Sequence, residues 1–498
     1  MQRFKTTVMR NFTSFLFVLI LGYSSVIAQT YTTPNTGVDW TLADIANASP
    51  STISVNGSEY TLQENLVIAA NDRLRIDTDA TVLLEDAILL TVFGDFDVSA
   101  DESMFLAADI ALPYEGFRFE EFSTINIQNA TIKNGGGLRV LTEDFTLNNS
   151  IITENVDGGI TTSAVISLSR GTPQITNNEI TFNMLPAISS AANSEVSATI
   201  SGNYIEGNNT LNANRPQINL GTTSATEDLQ IIDNVIIGDP LNTEAGGIAV
   251  ANLVGGTIRA IISGNEIRDN RYGITVLGGN AIVEISNNVI EDNNTQGNPN
   301  LGGSGININS TSNDVEINAF LNEIRRNLWG ITLQGESSIN LGDDINNIGG
   351  NIFSENGNNS EIYALYNNTP NTISALRNCW VEGVDNTLAI AESVIFHQSD
   401  NSALGEVLFD PVSCDVLGVA ENTLETFNFY PNPTKNTLNF DANFAIETID
   451  ILTTNGVSVF RQAIAKDQTE VTFHISSGMY FVLFKSNDNQ VVRKLLVD

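Results

Sequence analysis

From about residue 120 onward the chain sets branched apolar residues against polar ones in short bursts, and one burst recurs. "ISGNEI" (262–267) is nearly repeated in "ITNNEI" (175–180), "ISGNYI" (200–205), "IIDNVI" (231–236) and "ISNNVI" (285–290). Looser copies are "TLNNSI" (146–151), "AFLNEI" (319–324), "IGGNIF" (348–353) and "ALRNCW" (375–380). The shared asparagines are Asn149, Asn178, Asn203, Asn234, Asn265, Asn288, Asn322, Asn351 and Asn378, separated by 29, 25, 31, 31, 23, 34, 29 and 27 residues. A second polar position falls three residues after the closing apolar one, at Asn183, Asn208, Asp239, Asn270, Asn293, Asn327 and Asn356. Constant spacing inside the unit with variable spacing between units is the pattern of a solenoid whose loops differ in length.

The units read as strands. Ile and Val dominate, apolar residues alternate, and Gly, Asn and Asp interrupt too often for a helical period to develop. One turn of chain per repeat then gives stacked parallel sheets, with alternate Ile side chains pointing inward. Asn suits the corners for two reasons. It tolerates left-handed backbone, and its amide both donates and accepts, so stacked copies can bond coil to coil.

The ends of the chain differ from this body. "MQRFKTTVMR" carries Arg3, Lys5 and Arg10, "FLFVLILG" is a short apolar run, and Val26-Ile27-Ala28 offers small residues for cleavage between Ala28 and Gln29. That is a signal peptide over 1–28, too short to span a membrane, so export is expected. Without it the chain has 58 acidic against 19 basic groups, a net charge of −39, which makes nucleic acid and anionic membrane surfaces poor partners. No later segment is apolar enough to cross a bilayer as a helix. Residues 30–420 hold 49 acidic groups, twelve Arg and one Lys, whereas the last 78 residues have nine acids and six bases. That step predicts a domain boundary near 420. Cys379 and Cys414 are the only cysteines. Two thiols in an exported chain pair more often than they stay free, the other reading being two buried, unreactive thiols.

The Asn–Ile rhythm resembles the right-handed parallel β-helix, of the pectate-lyase-like type. The resemblance implies an all-β chain: a signal peptide (1–28), an N-terminal segment with opening coils (29–119), and the β-helix with its exit segment (120–418). "RNCWVEGVDNTLAIAESVIFHQSDNSALGEVLFDP" looks like the closing segment of such helices, and on that likeness Cys379 and Cys414 would staple the last coil to the exit.

After a linker at 419–425, the pattern changes over residues 426–498. "FNFYPNPTKNTLNF", "ETIDILTTNGVSVFRQAI" and "TEVTFHISSGMYFVLFKSNDNQ" alternate apolar residues around turn signals, which predicts a small immunoglobulin-like antiparallel sandwich. Tyr430-Pro431-Asn432-Pro433, Asn455-Gly456, Gly478-Met479-Tyr480 and Arg493-Lys494 stand in the order and spacing of the C-terminal sorting domain of the type IX (Por) secretion system, which this segment closely resembles. The resemblance implies type IX machinery as a partner, secretion or display on a Gram-negative surface, and attachment to surface lipopolysaccharide after removal of the domain.

β-Helix proteins of this type often cleave acidic polysaccharides, which requires an Arg or Lys base beside calcium-holding acids, or clustered Asp with His and an Arg-x-Lys pair. Residues 30–420 have one Lys (Lys133), one His (His397) and no such sequence. Asp343-Asp344 reads as a solvated turn. Asp77/Asp79 and Asp95/Asp97, at i and i+2, are weak candidates for calcium, the simpler reading being the exposed face of opening strands. His397 and His474 lie too far apart for a metal site. No catalytic residue, cofactor or metal ligand is therefore assigned. Tyr272 and Trp329 stand at one repeat position, before Gly-Ile and beside Arg268/Arg271 and Arg325-Arg326. They are read as corner packing, with glycan contact as the alternative. The inserts at 208–229 and 293–305 lengthen two coils and are where a binding site would be built. The reading favours a non-catalytic, surface-attached scaffold that binds glycans or partners; the alternative is a secreted polysaccharide lyase or glycoside hydrolase with a groove on the β-helix.

Overall fold

The structure, a computed structural model, describes residues 29–414 except 162, and 427–497 except 433, 443–445, 454–457, 466–467 and 486–489. Residues 1–28, expected as a signal peptide, and 419–425, expected as a linker, lie outside the described residues, as do Pro433, Asn455 and Gly456.

Residues 30–408 wind into a parallel β-helix of three long sheets with 14, 13 and 14 strands. Sheet I runs from Thr30–Thr32 to Ile395–Phe396, sheet II from Ile53–Asn56 to Ile352–Ser354, and sheet III from Asp39–Trp40 to Val407–Leu408. The chain visits I, III and II in turn; apart from the hairpin that opens sheet II, neighbouring strands pair in parallel. The repeat spacing fixes this stacking. Ile175, Ile200, Ile231, Ile262 and Ile285 lie in direct register in sheet III, and Ile180, Ile205, Ile236, Ile267, Ile290 and Ile324 in sheet II. All are fully buried. A one-residue slip would turn each inward row out to solvent, so the alternation sets the register.

The open ends of such a stack need covers. At the start, helix Leu42–Ala48 buries Leu42, Ile45 and Ala46, and Thr41 and Asp44 form its capping box. Phe96, Phe105, Phe117, Phe119 and Phe145 fill the first coils with ring centroids 5.3–6.5 Å apart. Asp72, buried beneath the first turn, accepts backbone N–H bonds from Asn35, Thr36, Gly37 and Val38 at 2.8–3.2 Å. At the far end Trp380 stacks on Phe353 at 5.1 Å, and Cys379 and Cys414 form a disulfide.

The asparagines divide the two jobs that the sequence assigns to one residue. Those that bond coil to coil are buried, and the residue before each one takes the left-handed backbone: Asn177, Asp233, Asn287, Leu321 and Arg377, with Gly202, Gly264 and Gly350. Asn149 is one of these corner residues (φ 48°), exposed and bonded to Asn129; the inward place in its coil belongs to Ser150. Asn149 is thus corrected out of the column. Two columns result. The first, at the start of the sheet II strands, is Asn178, Asn203, Asn234, Asn265, Asn288, Asn322, Asn351 and Asn378. From Asn203 onward each Oδ1 accepts both the backbone N–H and the Nδ2 of the preceding asparagine at 2.8–3.1 Å, while Asn178 Oδ1 accepts the Ser150 N–H. The second, at the end of those strands, contains Asn155, Asn183, Asn208, Asn270, Asn293, Asn327 and Asn356, but not Asp239. Gln217 fills that rung, accepting from Asn208 Nδ2 at 3.1 Å and donating to Asn270 Oδ1 at 3.0 Å and to the Ile237 carbonyl at 2.8 Å. Asp239 instead caps a turn, accepting from the Leu241 N–H. Gln217 reaches the column from the sheet I strand Pro216–Leu220, twenty-two residues before Asp239 in the chain.

Residues 427–497 form a three-stranded and a four-stranded antiparallel sheet around a separate core that includes Leu438, Phe440, Ile449, Ile451, Phe473, Val482, Phe484 and Leu495. Among the described residues no helix is long and apolar enough to cross a membrane.

Candidate functional site

The corner from sheet II into sheet I is short at Asn270–Gly273 and long at 207–215, 238–245 and 292–303. Two of the long loops, 207–215 and 292–303, supply Asn214 and Pro299, Asn300, Leu301 and Gly302 as walls of a hollow of about 540 Å³ on the outer face of sheet I. Its floor is a register row, Thr275, Asn307, Thr332 and Tyr366, whose side chains point outward because their neighbours Ile274, Ile306, Ile331 and Leu365 point inward.

A second row forms the wall: Gly246, Tyr272, Ser304, Trp329 and Tyr363 occupy equivalent places in successive coils. The row runs small, large, small, large, large. A Cβ at Gly246 would lie 2.2 Å from Tyr272 Cζ, so the tyrosine ring rests on bare backbone there. Trp329 packs against Tyr363 and Tyr366 at 4.7 and 5.0 Å, and its indole N–H donates to the Pro299 carbonyl at 3.0 Å. Ser304, between the two rings, leaves a gap of ~10 Å, two strand spacings. That gap is the hollow. Tyr272 and Trp329 therefore are corner-packing residues, half-buried, and line the cavity as well.

Arg271 decides the electrostatics. It is only 7% exposed, and its Nη atoms donate to the Asn214 side chain and the Leu301 carbonyl, one on each long loop, while Nε has no partner. Nine of the twelve β-helix arginines sit in ion pairs; Arg271 forms none among the described residues. No Asp or Glu lines the hollow. In a chain of net charge −36 this is a local reversal: one fixed cation among neutral amides, hydroxyls and rings. Burial raises the Tyr272 phenol well above its ordinary pKa, against the opposing pull of Arg271, so the ring stays protonated.

The other candidate residues have structural partners. Asp343 accepts from the N–H groups of Ile345, Asn346 and Asn347 at 2.7–3.0 Å, which hold it far below the usual carboxylate range, and Asp344 pairs with Arg377. Asp95 pairs with Arg73 at 3.0 Å, Asp77 with Arg75, and Asp97 accepts from Asn126. Asp77 and Asp79 do not share a strand face; they lie in the turn after Arg73–Ile76, where Asp79 accepts the Glu102 N–H. Among the described residues no three His, Cys, Asp or Glu groups converge as metal ligands. His397 is buried; its Nδ1 accepts the Val407 N–H at 3.0 Å, so the proton is on Nε2, facing Glu392. Arg268 bonds to Glu266 and Asp269, Arg325 to Glu323 and Glu382, and Arg326 to Glu291 and Asp292.

The sequence points to the two aromatics and to the two inserts, which contain Asn214 and Ser304, but it does not single out those two residues and does not point to Tyr366. Tyr363 was readable, because "YAL" repeats the place of "YGI" and "WGI". Ser304 has no sequence signal, since its role is to be small where its row neighbours are large.

No curated protein matches the chain. Among solved structures, an alginate lyase from Paenibacillus sp. str. FPU-7 aligns with 77% of this chain and 99% of its own, at 10% identity and a TM-score of 0.29. Residues 428–498 match the family described as secretion system C-terminal sorting domain, so the protein ends in an export signal and is secreted or held at the cell surface.

Proposed function

We propose that the protein is a non-catalytic glycan-binding scaffold, carried out by the type IX system and attached to surface lipopolysaccharide, and that the hollow between Tyr272 and Trp329 is its binding site. One observation carries the reading: aromatic faces, neutral hydrogen-bonding side chains and a single guanidinium outside any ion pair converge on a cavity sized for one or two sugar rings. Aromatic rings suit the apolar face of a sugar, Asn307, Thr332 and Gln334 suit its hydroxyls, and Arg271 suits a carboxylate or sulfate on the same unit. The hydrolase alternative needs two carboxylates flanking the bond, and the lining holds none. A lyase would need a base, and the Tyr272 phenol is biased toward its protonated form.

Calorimetric titration of the full chain against neutral, uronic and sulfated oligosaccharides, with product release followed in parallel, tests this. An acidic oligosaccharide should bind and remain intact. Arg271→Met should weaken it about tenfold, the loss of one charge-assisted contact. Ser304→Tyr should abolish binding by completing the aromatic row. Cleavage of any panel member, or binding indifferent to Ser304→Tyr, overturns the reading.

A further inference from the structure

The last strand, Gln490–Val497, lies at the edge of the four-stranded sheet and pairs on one side with Gly478–Lys485. Its other edge is closed over its final residues by the segment containing Asn432. The Asn432 Nδ2 donates to the Lys494 carbonyl at 2.9 Å, and its Oδ1 accepts the Leu496 N–H at 2.8 Å. Two residues on, the Thr434 N–H donates to the Leu496 carbonyl at 2.9 Å, and Thr434 bridges Val497 in parallel. The Asn432 amide thus stands where a neighbouring strand would present a peptide group. Few side chains can do this: Asp cannot donate, Gln is a methylene longer, and Ser lacks the second atom.

Lys494 and Leu496 remain exposed on this strand, while Leu495 and Val497 are buried in the domain core. An edge left open would fray, or would pair with any strand it met. We infer that Asn432 is a positioning residue of the export signal: it holds Lys494–Val497 in one register, and the export machinery reads Lys494 and Leu496 from that folded strand and not from a free tail. This makes the tyrosine-proline-asparagine-proline stretch, some sixty residues before the chain end, part of the same signal as the tail. The inference concerns a different surface from the glycan site and stands whether or not that site binds sugar.

The test is export of the full chain from a bacterium carrying type IX machinery, with amide hydrogen exchange on purified protein. Asn432→Ala should speed exchange at Leu496, leave Thr448–Thr453 protected, and reduce export to background. Asn432→Asp, which keeps the acceptor and loses the donor, should export between the two. Normal export of Asn432→Ala overturns the inference. So does loss of protection throughout Thr448–Thr453, because Asn432 would then be a folding residue and not a positioning one.

Discussion

The two asparagine columns run along opposite ends of the same sheet II strands, yet only one is regular. The first passes through eight consecutive asparagines without a break. The second is interrupted once, where Gln217 replaces the expected Asp239, and the interruption lies in the coils whose long loops wall the cavity. Regularity is where the fold gains its stability, since every rung satisfies buried polar groups in the same way. The departure is where the surface acquires a shape: the loop between Asn208 and Gln217 carries Asn214, which meets Arg271.

The comparison can be broken or sharpened by substitution. The largest effect is expected in the regular column. Asn288→Ala leaves the Asn265 N–H and the Ile262 carbonyl unpaired in a fully buried site, which should cost about 4 kcal/mol and lower the denaturation midpoint clearly. Gln217→Asn, too short to span from Asn208 to Asn270, should cost about 2 kcal/mol and also weaken ligand binding, because the loop it anchors carries Asn214; unchanged affinity would separate column from site.

Acid should spare both columns, whose amides do not titrate, and act on the opening turn. Burial works to raise the Asp72 pKa, but hydrogen bonds from Thr33 and the backbone outweigh it and hold the carboxylate below its ordinary value. Its contribution is therefore complete above the unfolded aspartate pKa of about 3.9 and is lost as pH falls through the lower folded value. Exchange of the Asn35–Val38 amides should accelerate below about pH 4 while the Asn265 and Asn288 amides stay protected, and Asp72→Asn should abolish that dependence. Asn149→Ala should cost about 1 kcal/mol, because alanine tolerates left-handed backbone less well than asparagine and the bond to Asn129 is lost. The smallest effect separates sequence periodicity from structure: Asp239→Asn, which would restore the periodic residue, should change stability by less than about 0.5 kcal/mol, because position 239 is outside the column.

Much of the trunk was legible because its physics is periodic. Inward Ile rows and buried asparagines recur in every coil, so neighbouring repeats report on one another, and the register follows from alternation alone. Within the columns the departures are of one residue or one rung. Asn149 and Ser150 both satisfy the polar pattern, and only the backbone conformation decides which faces inward. Asp239 has the right spacing, but its coil turns away.

The sequence by itself determined the solenoid and the export signal, because each rests on local spacing that any stretch of chain carries with it. Only the tertiary structure decided the cavity and the Asn432 clasp. Arg271 meets Asn214 across 57 residues, and Asn432 meets Leu496 across 64. Such contacts are set by loop length and coil stacking, and no periodicity within a repeat encodes which distant side chains those will bring together.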